Sequence, residues 1–222
     1  MRLGVLFSGG KDSVYATYLE KQKGNNIVCL ISIFSKNDAS YMFHTPNIKR
    51  VKNQAKVMNI PLLIGRTNGE KEEELKDLEK VIAKAKKKYS LDGIITGALH
   101  SEYQRSRIDK ICKELNLKCI NPLWHKDEID YLNELIKNNF EIMIIGIFAY
   151  PLDESWLGRK VDENFIEEVK KLKNKYKIHP AGEGGEFETF VINCPLFSKK
   201  LRIKFYRDIK ESENSWRREI KL

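Results

Sequence analysis

The sequence predicts an α/β fold: a doubly wound, mainly parallel sheet over residues 1–121, followed by a second, smaller α+β domain over residues 122–222. Three observations predict it. Short apolar, β-branched runs alternate with helical patterns through the first 120 residues, as expected of a parallel sheet whose crossovers are helices. The stretch Asn121-Pro122-Leu123-Trp124-His125 then breaks the alternation, because proline cannot continue a central ladder. Beyond it, a very apolar strand and two helices lead to a glycine- and acid-rich run and a basic end.

Residues 3–7, Leu-Gly-Val-Leu-Phe, predict a buried first strand. Val14, Tyr15, Tyr18 and Leu19 recur at helical spacing, so a helix begins near Asp12. Residues 27–34 predict a second buried strand that opens into a loop over 35–46, with Tyr-Met-Phe-His-Thr-Pro at 41–46. An aromatic loop there suits a ligand cover, since open α/β sheets bind ligands beyond the carboxyl ends of their strands. It suits equally a loop pinned to the domain surface by Tyr41 and Phe43. A helix over 47–58 and a third strand over 61–64 follow. Residues 71–88 form a long amphipathic helix with Leu75, Leu78, Val81, Ile82 and Ala85 on one face. A fourth strand (91–96), a helix (101–115) and a fifth strand (117–120) complete the first domain. In the second, a helix over 127–138, a strand over 141–148 and a helix over 162–175 precede a strand through Ile192. The basic end predicts strands over 201–206 and 217–221, arranged as a hairpin.

A hydrophobic content of 41% with 32% charged residues describes a well-charged globular chain and excludes disorder. No apolar run approaches the roughly 20 residues that span a bilayer. The amino terminus enters a strand at once, with no basic segment and apolar stretch of a signal peptide, so the expected setting is cytoplasmic. Cys29, Cys112, Cys119 and Cys194 show no spacing typical of zinc ligands and fit a reducing compartment. The net charge of +9 suits an anionic partner such as RNA, but the lysines mostly interleave with glutamates along helices, which favours a solvated face. A homo-oligomer is compatible with this composition.

Two stretches carry chemistry. Residues 8–13, Ser-Gly-Gly-Lys-Asp-Ser, lie between the first strand and the first helix. Strand, glycine turn and helix aim free backbone N–H groups and the positive end of a helix dipole at one point, which attracts a phosphate. Gly9 and Gly10 permit positive φ and a close approach; Lys11 adds charge; Ser8 and Ser13 add hydroxyls. Asp12 suits either a helix cap or a magnesium ligand. The spacing is neither Gly-x-x-x-x-Gly-Lys-Ser/Thr nor Gly-x-Gly-x-x-Gly. The second stretch, residues 182–189, holds three glycines and three carboxylates, Glu183, Glu186 and Glu188, before an apolar strand. Its acids suit magnesium binding, orientation of a nucleophile or reception of a cation.

The first stretch resembles the PP-loop of the N-type ATP pyrophosphatases, a superfamily that cleaves ATP between its α and β phosphates and has a HUP-like, adenine nucleotide α hydrolase-like fold. More narrowly, the sequence resembles the diphthine–ammonia ligases (diphthamide synthetases). The matching residues are 8–13, Ser-Tyr-Met-Phe-His-Thr-Pro at 40–46, Gly-Glu-Lys-Glu-Glu-Glu at 69–74, and Gly97 with Tyr103-Gln104-Arg105. In the second domain they are Pro122-Leu123-Trp124, Leu157-Gly158-Arg159 and His-Pro-Ala-Gly-Glu-Gly-Gly-Glu-Phe-Glu-Thr at 179–189.

The resemblance implies amidation of the diphthine carboxylate on translation elongation factor 2, through an acyl-adenylate, with release of AMP and pyrophosphate. It implies ATP and Mg2+ as cofactors. It places Ser8, Gly9, Gly10, Lys11, Asp12 and Ser13 on the phosphates, with Asp12 as the metal ligand, and Ser32 and Gly97 near adenosine. Tyr103, Gln104, Glu183, Glu186, Glu188 and Thr189 fall on the acceptor side, and Lys11, Asp12, Tyr103, Gln104, Glu183 and Glu186 are the expected catalytic set. Tyr103 or Trp124 would face the trimethylammonium group, although Tyr103 also fits an amphipathic helix and Trp124 a core anchor. The residues already assigned leave no room for a glutaminase domain, so free ammonium is the expected nitrogen donor. The alternatives are a PP-loop enzyme that modifies tRNA and an ATP-binding module without turnover.

Overall fold

The computed structural model describes residues 1–35, 47–70 and 73–222. The chain divides into two units: Met1–Ser8 with Asp12–Trp124, and Gly9–Lys11 with His125–Leu222.

The first unit is built on five parallel strands: β1 (Arg2–Leu6), β2 (Asn26–Ser35), β3 (Leu62–Thr67), β4 (Gly93–Ile95) and β5 (Lys118–Ile120). They lie in the order β3-β2-β1-β4-β5. The order reverses between β1 and β4, the switch point at whose carboxyl end open α/β sheets bind ligands. Four helices connect the strands: α1 (Lys11–Gln22), α2 (Val51–Met58), α3 (Glu73–Tyr89) and α4 (Glu102–Glu114). A short 3-10 turn, Ile48–Arg50, precedes α2 within the helix expected over 47–58. Leu78, Ile82 and Ala85 of α3 and Ile108, Ile111 and Cys112 of α4 pack on Cys29, Ile31, Ile33 and Ile94. Each such buried aliphatic side chain contributes about 1.5–3 kcal/mol. Ser101 caps α4 by accepting from Gln104 N. The expected aromatic loop at 41–46, and the Lys71 start of the third helix, lie outside the described residues.

The second unit carries an antiparallel sheet: β6 (Glu141–Ile147), β7 (Phe187–Asn193), β8 (Phe205–Ser212) and β9 (Ser215–Lys221), in the order β7-β6-β9-β8. Helices α5 (Glu128–Lys137) and α6 (Glu163–Tyr176) begin at aspartate caps, Asp127 and Asp162, as their sequences suggest. Phe165 of α6 sits edge-on between Trp156 and Phe187 in its core.

Two strands differ from expectation: β3, expected over 61–64, runs on to Thr67, and the first strand of the basic end starts late. Residues 201–204 are not in the ladder: Leu201 N donates to Ile192 O and Lys204 N to Lys221 O, and β8 starts only at Phe205. Strand β8 is exposed along nearly its whole length, so its sequence carries no apolar alternation. Pairing with β9 holds it, helped by Arg218 over Tyr206 at 4.0 Å.

Candidate active site

In the first unit, β1 delivers Ser8, and α1 carries Asp12 and Ser13. Ser8 N donates to Ser13 Oγ at 3.3 Å, and the two hydroxyls lie 3.2 Å apart. The turn therefore closes on itself through its serines. Ser13 is buried, and its carbonyl accepts from Thr17 Oγ1 at 2.7 Å, which ties it into α1. Gly97, just past β4, lies against this turn. A Cβ there would stand 2.8 Å from Ser13 N and 2.9 Å from Asp12 C, backbone atoms that cannot swing aside. Thr96 Oγ1 bonds to Asn121 Oδ1 and receives Ala98 N, and so steadies the end of β4. Ser32 is buried with its hydroxyl donating to Phe7 O at 2.6 Å. That hydroxyl ties β2 to the end of β1.

Gly9–Lys11 pack within the second unit. Gly9 has φ 82, the left-handed value expected for the turn, whereas Gly10 has no positive φ. Gly9 O accepts from Val191 N at 3.1 Å, and Lys11 N donates to Thr189 Oγ1 at 3.1 Å. The loop thus runs along the outer edge of β7. Lys11 is buried, with Nζ 5.9 Å from the ring centroids of Tyr131 and of Phe187, at the reach of a cation–π contact.

The acid-rich run of the second unit is organised by His179. Its main-chain N donates to Glu186 Oε1 at 2.6 Å. Its ring Nδ1 accepts from Ala181 N at 3.2 Å and Glu183 N at 3.4 Å. The proton of a neutral ring therefore sits on Nε2, 3.6 Å from Glu128 Oε1. Burial works to raise the Glu128 carboxyl, but hydrogen bonds from its own amide and from Lys173 outweigh it and hold the group below the usual range. Gly182, at φ 74, would bring a Cβ within 2.9 Å of Phe187 O, so the turn into β7 needs glycine there.

The three carboxylates are not equivalent. Glu183 N bonds the histidine ring. Glu186 is buried and anchored through Oε1, while its Oε2 is sealed from solvent without a hydrogen-bond partner. Glu188 Oε2 is likewise sealed and unpartnered. Burial, and then the negative charge of Glu211, push the Glu188 carboxyl up to about 8. A buried acceptor without a donor is costly.

Tyr103 and Gln104 lie in the first turn of α4, in the first unit; Glu183, Glu186, Glu188 and Thr189 lie in the second. The rings expected to receive a cation already hold one from this chain. Arg107 Cζ is 3.4 Å from the Tyr103 centroid, and Arg105 Cζ is 4.6 Å from that of Trp124. Sequence reasoning gave no role to His179 or Tyr131. The histidine was visible as the first residue of the glycine–acid run, whereas Tyr131 is indistinguishable in sequence from any other core position of α5. Among the described residues, no group of three or more His, Cys, Asp or Glu side chains stands together as a metal cage, and no helix is long and apolar enough to cross a membrane.

The diphthamide synthase N-terminal domain family matches residues 1–119, and the diphthamide synthase C-terminal domain family matches residues 127–221. The diphthine–ammonia ligase of Homo sapiens is 36% identical over 222 residues, covering 90% of this chain and 82% of that protein. That of Danio rerio is 31% identical over 234 residues, covering 97% and 91%. That of Schizosaccharomyces pombe is 30% identical over 217 residues, covering 90% of this chain but 36% of the longer relative.

Proposed function

The chain belongs to the diphthamide synthase family, and we propose that it amidates the diphthine carboxylate of translation elongation factor 2 with ammonium and ATP, releasing AMP and pyrophosphate. The observation that carries this reading is the pair of family matches, over residues 1–119 and 127–221, which include the glycine loop and the acid-rich run. A cytoplasmic place of work follows from a substrate of the translation machinery.

The chemistry explains why ATP is required. A carboxylate oxygen is a poor leaving group toward ammonia. Attack of that oxygen on the α-phosphorus expels pyrophosphate and leaves an acyl-adenylate, from which AMP departs readily. In this reading the backbone N–H groups of Gly9 and Gly10, the hydroxyls of Ser8 and Ser13, and Lys11 bind the phosphates. Fixed donors and a buried cation stabilise the charge that develops on pyrophosphate as it leaves. Thr189 acts as a positioning residue, because its hydroxyl holds the Lys11 amide. The close approach of Gly97 to the backbone of Asp12 and Ser13, which only glycine permits, supports its place near the nucleotide.

The donor set also fits a magnesium ion. Asp12, in the first turn of α1, offers one carboxylate, and magnesium prefers one or two carboxylates completed by phosphate oxygens and water over an all-protein cage. Bound there, the ion would neutralise phosphate charge. Glu183 and Glu186, with Tyr103 and Gln104, are assigned to the acceptor and its activation.

In this reading ammonium is the nitrogen donor, and three of the four cysteines are poor nucleophiles for releasing nitrogen from glutamine. Burial pushes the Cys29 and Cys194 thiols up to about 12, which removes their thiolates at neutral pH. The Cys112 thiol is raised by its hydrogen bond to Cys119 and by burial, whereas the same bond lowers the Cys119 thiol.

Incubation with ATP, magnesium, ammonium and diphthine-bearing elongation factor 2 tests this reading. AMP should form only when both the factor and ammonium are present, with carboxylate converted to amide on the factor. AMP stimulated by tRNA in place of the factor would overturn the acceptor, and absence of AMP with ATP bound would overturn the enzyme.

A further inference from the structure

We propose that Cys119 is an oxidation-sensitive thiol, which hydrogen peroxide converts to a reversible disulfide with Cys112. Both cysteines lie in the first unit, and their chemistry does not depend on the amidation reading. Three observations converge on the pair.

First, access. Cys119 is the middle residue of β5, the edge strand of the parallel sheet. It is partly exposed, whereas Cys29, Cys112 and Cys194 are buried. An oxidant in water therefore meets Cys119 before the other thiols of the chain.

Second, contact between the two sulfurs. Leu117 N donates to Cys112 O at 2.8 Å, which turns the chain back at the end of α4 and brings β5 beside it. The register sets Cys119 next to Ile94, and both pack with Ile108, Ile111 and Cys112 in one apolar cluster. Cys119 thus faces α4, and the two thiols are hydrogen-bonded to each other. Cys112 is fully enclosed, so an oxidant acts on it through the sulfur that it touches.

Third, donors aimed at the exposed sulfur. Ala98 N donates to Thr96 Oγ1, whose own hydrogen is directed to Asn121 Oδ1 at 2.5 Å. The Asn121 amide is oriented by that bond, and its Nδ2 donates to Cys119 Sγ at 3.5 Å. Arg105 adds positive charge nearby; Asp109, which pairs with Lys113 at 2.7 Å, adds the opposing charge. The Cys112 hydrogen bond, joined by that of Asn121, outweighs burial and holds the Cys119 thiol below its usual value. Cys119 is therefore the sulfur that supplies a thiolate, and Cys112 the one that resolves it.

The step balances. The Cys119 thiolate, its proton given to water, attacks one oxygen of the peroxide. The O–O bond breaks, and hydroxide leaves and takes up a proton, so Cys119 becomes a sulfenic acid. The Cys112 sulfur then attacks the Cys119 sulfur. The S–O bond breaks, and the departing hydroxide takes the Cys112 proton as water. Two thiols lose two electrons and two protons, and one peroxide becomes two waters. A dithiol reductant reverses the bond by exchange.

The test treats the full chain with hydrogen peroxide near neutral pH, alkylates the remaining thiols and maps the cysteines by mass spectrometry. Wild type should lose two thiols and gain a Cys112–Cys119 cross-link that dithiothreitol removes. Cys119 should react about 10²-fold or more faster than Cys29 and Cys194, whose thiols burial pushes up to about 12. Cys112→Ser should stop the reaction at a Cys119 sulfenic acid, trapped by dimedone. Cys119→Ser should leave Cys112 reduced at the same dose. Equal reactivity of the four cysteines, or overoxidation of Cys119 while Cys112 stays free, would overturn the inference. If a serine variant does not fold, Asn121→Leu serves instead. Without the amide donor, oxidation of Cys119 should slow about tenfold or more, and an unchanged rate would overturn the assignment.

Discussion

The amide of Lys11 donates to the hydroxyl of Thr189 at 3.1 Å, so one hydrogen bond joins two residues 178 positions apart, one from each of the stretches that carry the chemistry. Both residues are buried, with the lysine 3% and the threonine 6% exposed. Thr189→Val would keep the shape but leave the amide without its acceptor, at a cost of about 1–3 kcal/mol. Chemical denaturation should show that loss for Thr189→Val and little for Thr189→Ser. Equal stability of the valine variant would contradict the role given to this bond.

Gly97 admits no side chain. A methyl group there meets Ser13 N and Asp12 C at under 3 Å, and relief requires α1 to shift against β4. Gly97→Ala should cost about 1–3 kcal/mol in stability. It should weaken ATP binding about tenfold or more, which corresponds to about 1.4 kcal/mol. Calorimetric titration with a non-hydrolysable ATP analogue measures this directly, and wild-type affinity would remove Gly97 from the nucleotide site.

Glu186→Gln separates binding from amidation. The amide keeps an oxygen for the His179 N–H, so the turn should survive. ATP binding should be largely intact while amide formation is abolished. Unchanged turnover would take Glu186 out of the site.

Glu188 should also set how stability depends on pH. In the folded chain it holds its proton to about 8, whereas in the unfolded chain it titrates in the ordinary glutamate range. Between those values the folded state binds more protons, so stability falls as pH rises and levels off above about 8. The loss is on the order of a few kcal/mol. Thermal melts should show this slope in wild type and not in Glu188→Gln. A slope that survives the substitution would belong to other groups.

Much of the fold was legible because its signals are local. The apolar stripe of α3 with Leu78 and Ile82, the aspartates that start α5 and α6, and the β-branched run of β2 each declare an element within a few residues. Strand β8 was displaced because nothing within Phe205–Ser212 alternates; the partner strand β9 decides it. The site divides in the same way. Residues 8–13 stand out as a candidate anion site through composition alone. The difference among Glu183, Glu186 and Glu188 is invisible in sequence, because it depends on the His179 ring that meets the Glu183 amide, the His179 amide that meets one Glu186 oxygen, and the burial that leaves Glu188 Oε2 without a donor. The arginines over the Tyr103 and Trp124 rings are hidden for the same reason, since they lie nearby in the chain yet reach those rings only through the helix and its fold.

The most direct measurement of the central claim follows the oxygen of the acceptor. Elongation factor 2 carrying diphthine with its carboxylate labelled by heavy oxygen is converted with ATP and ammonium, and the released nucleotide is weighed. Activation through an acyl-adenylate predicts AMP with one labelled oxygen for each amide formed. Unlabelled AMP, or ADP with the label in phosphate, would contradict it.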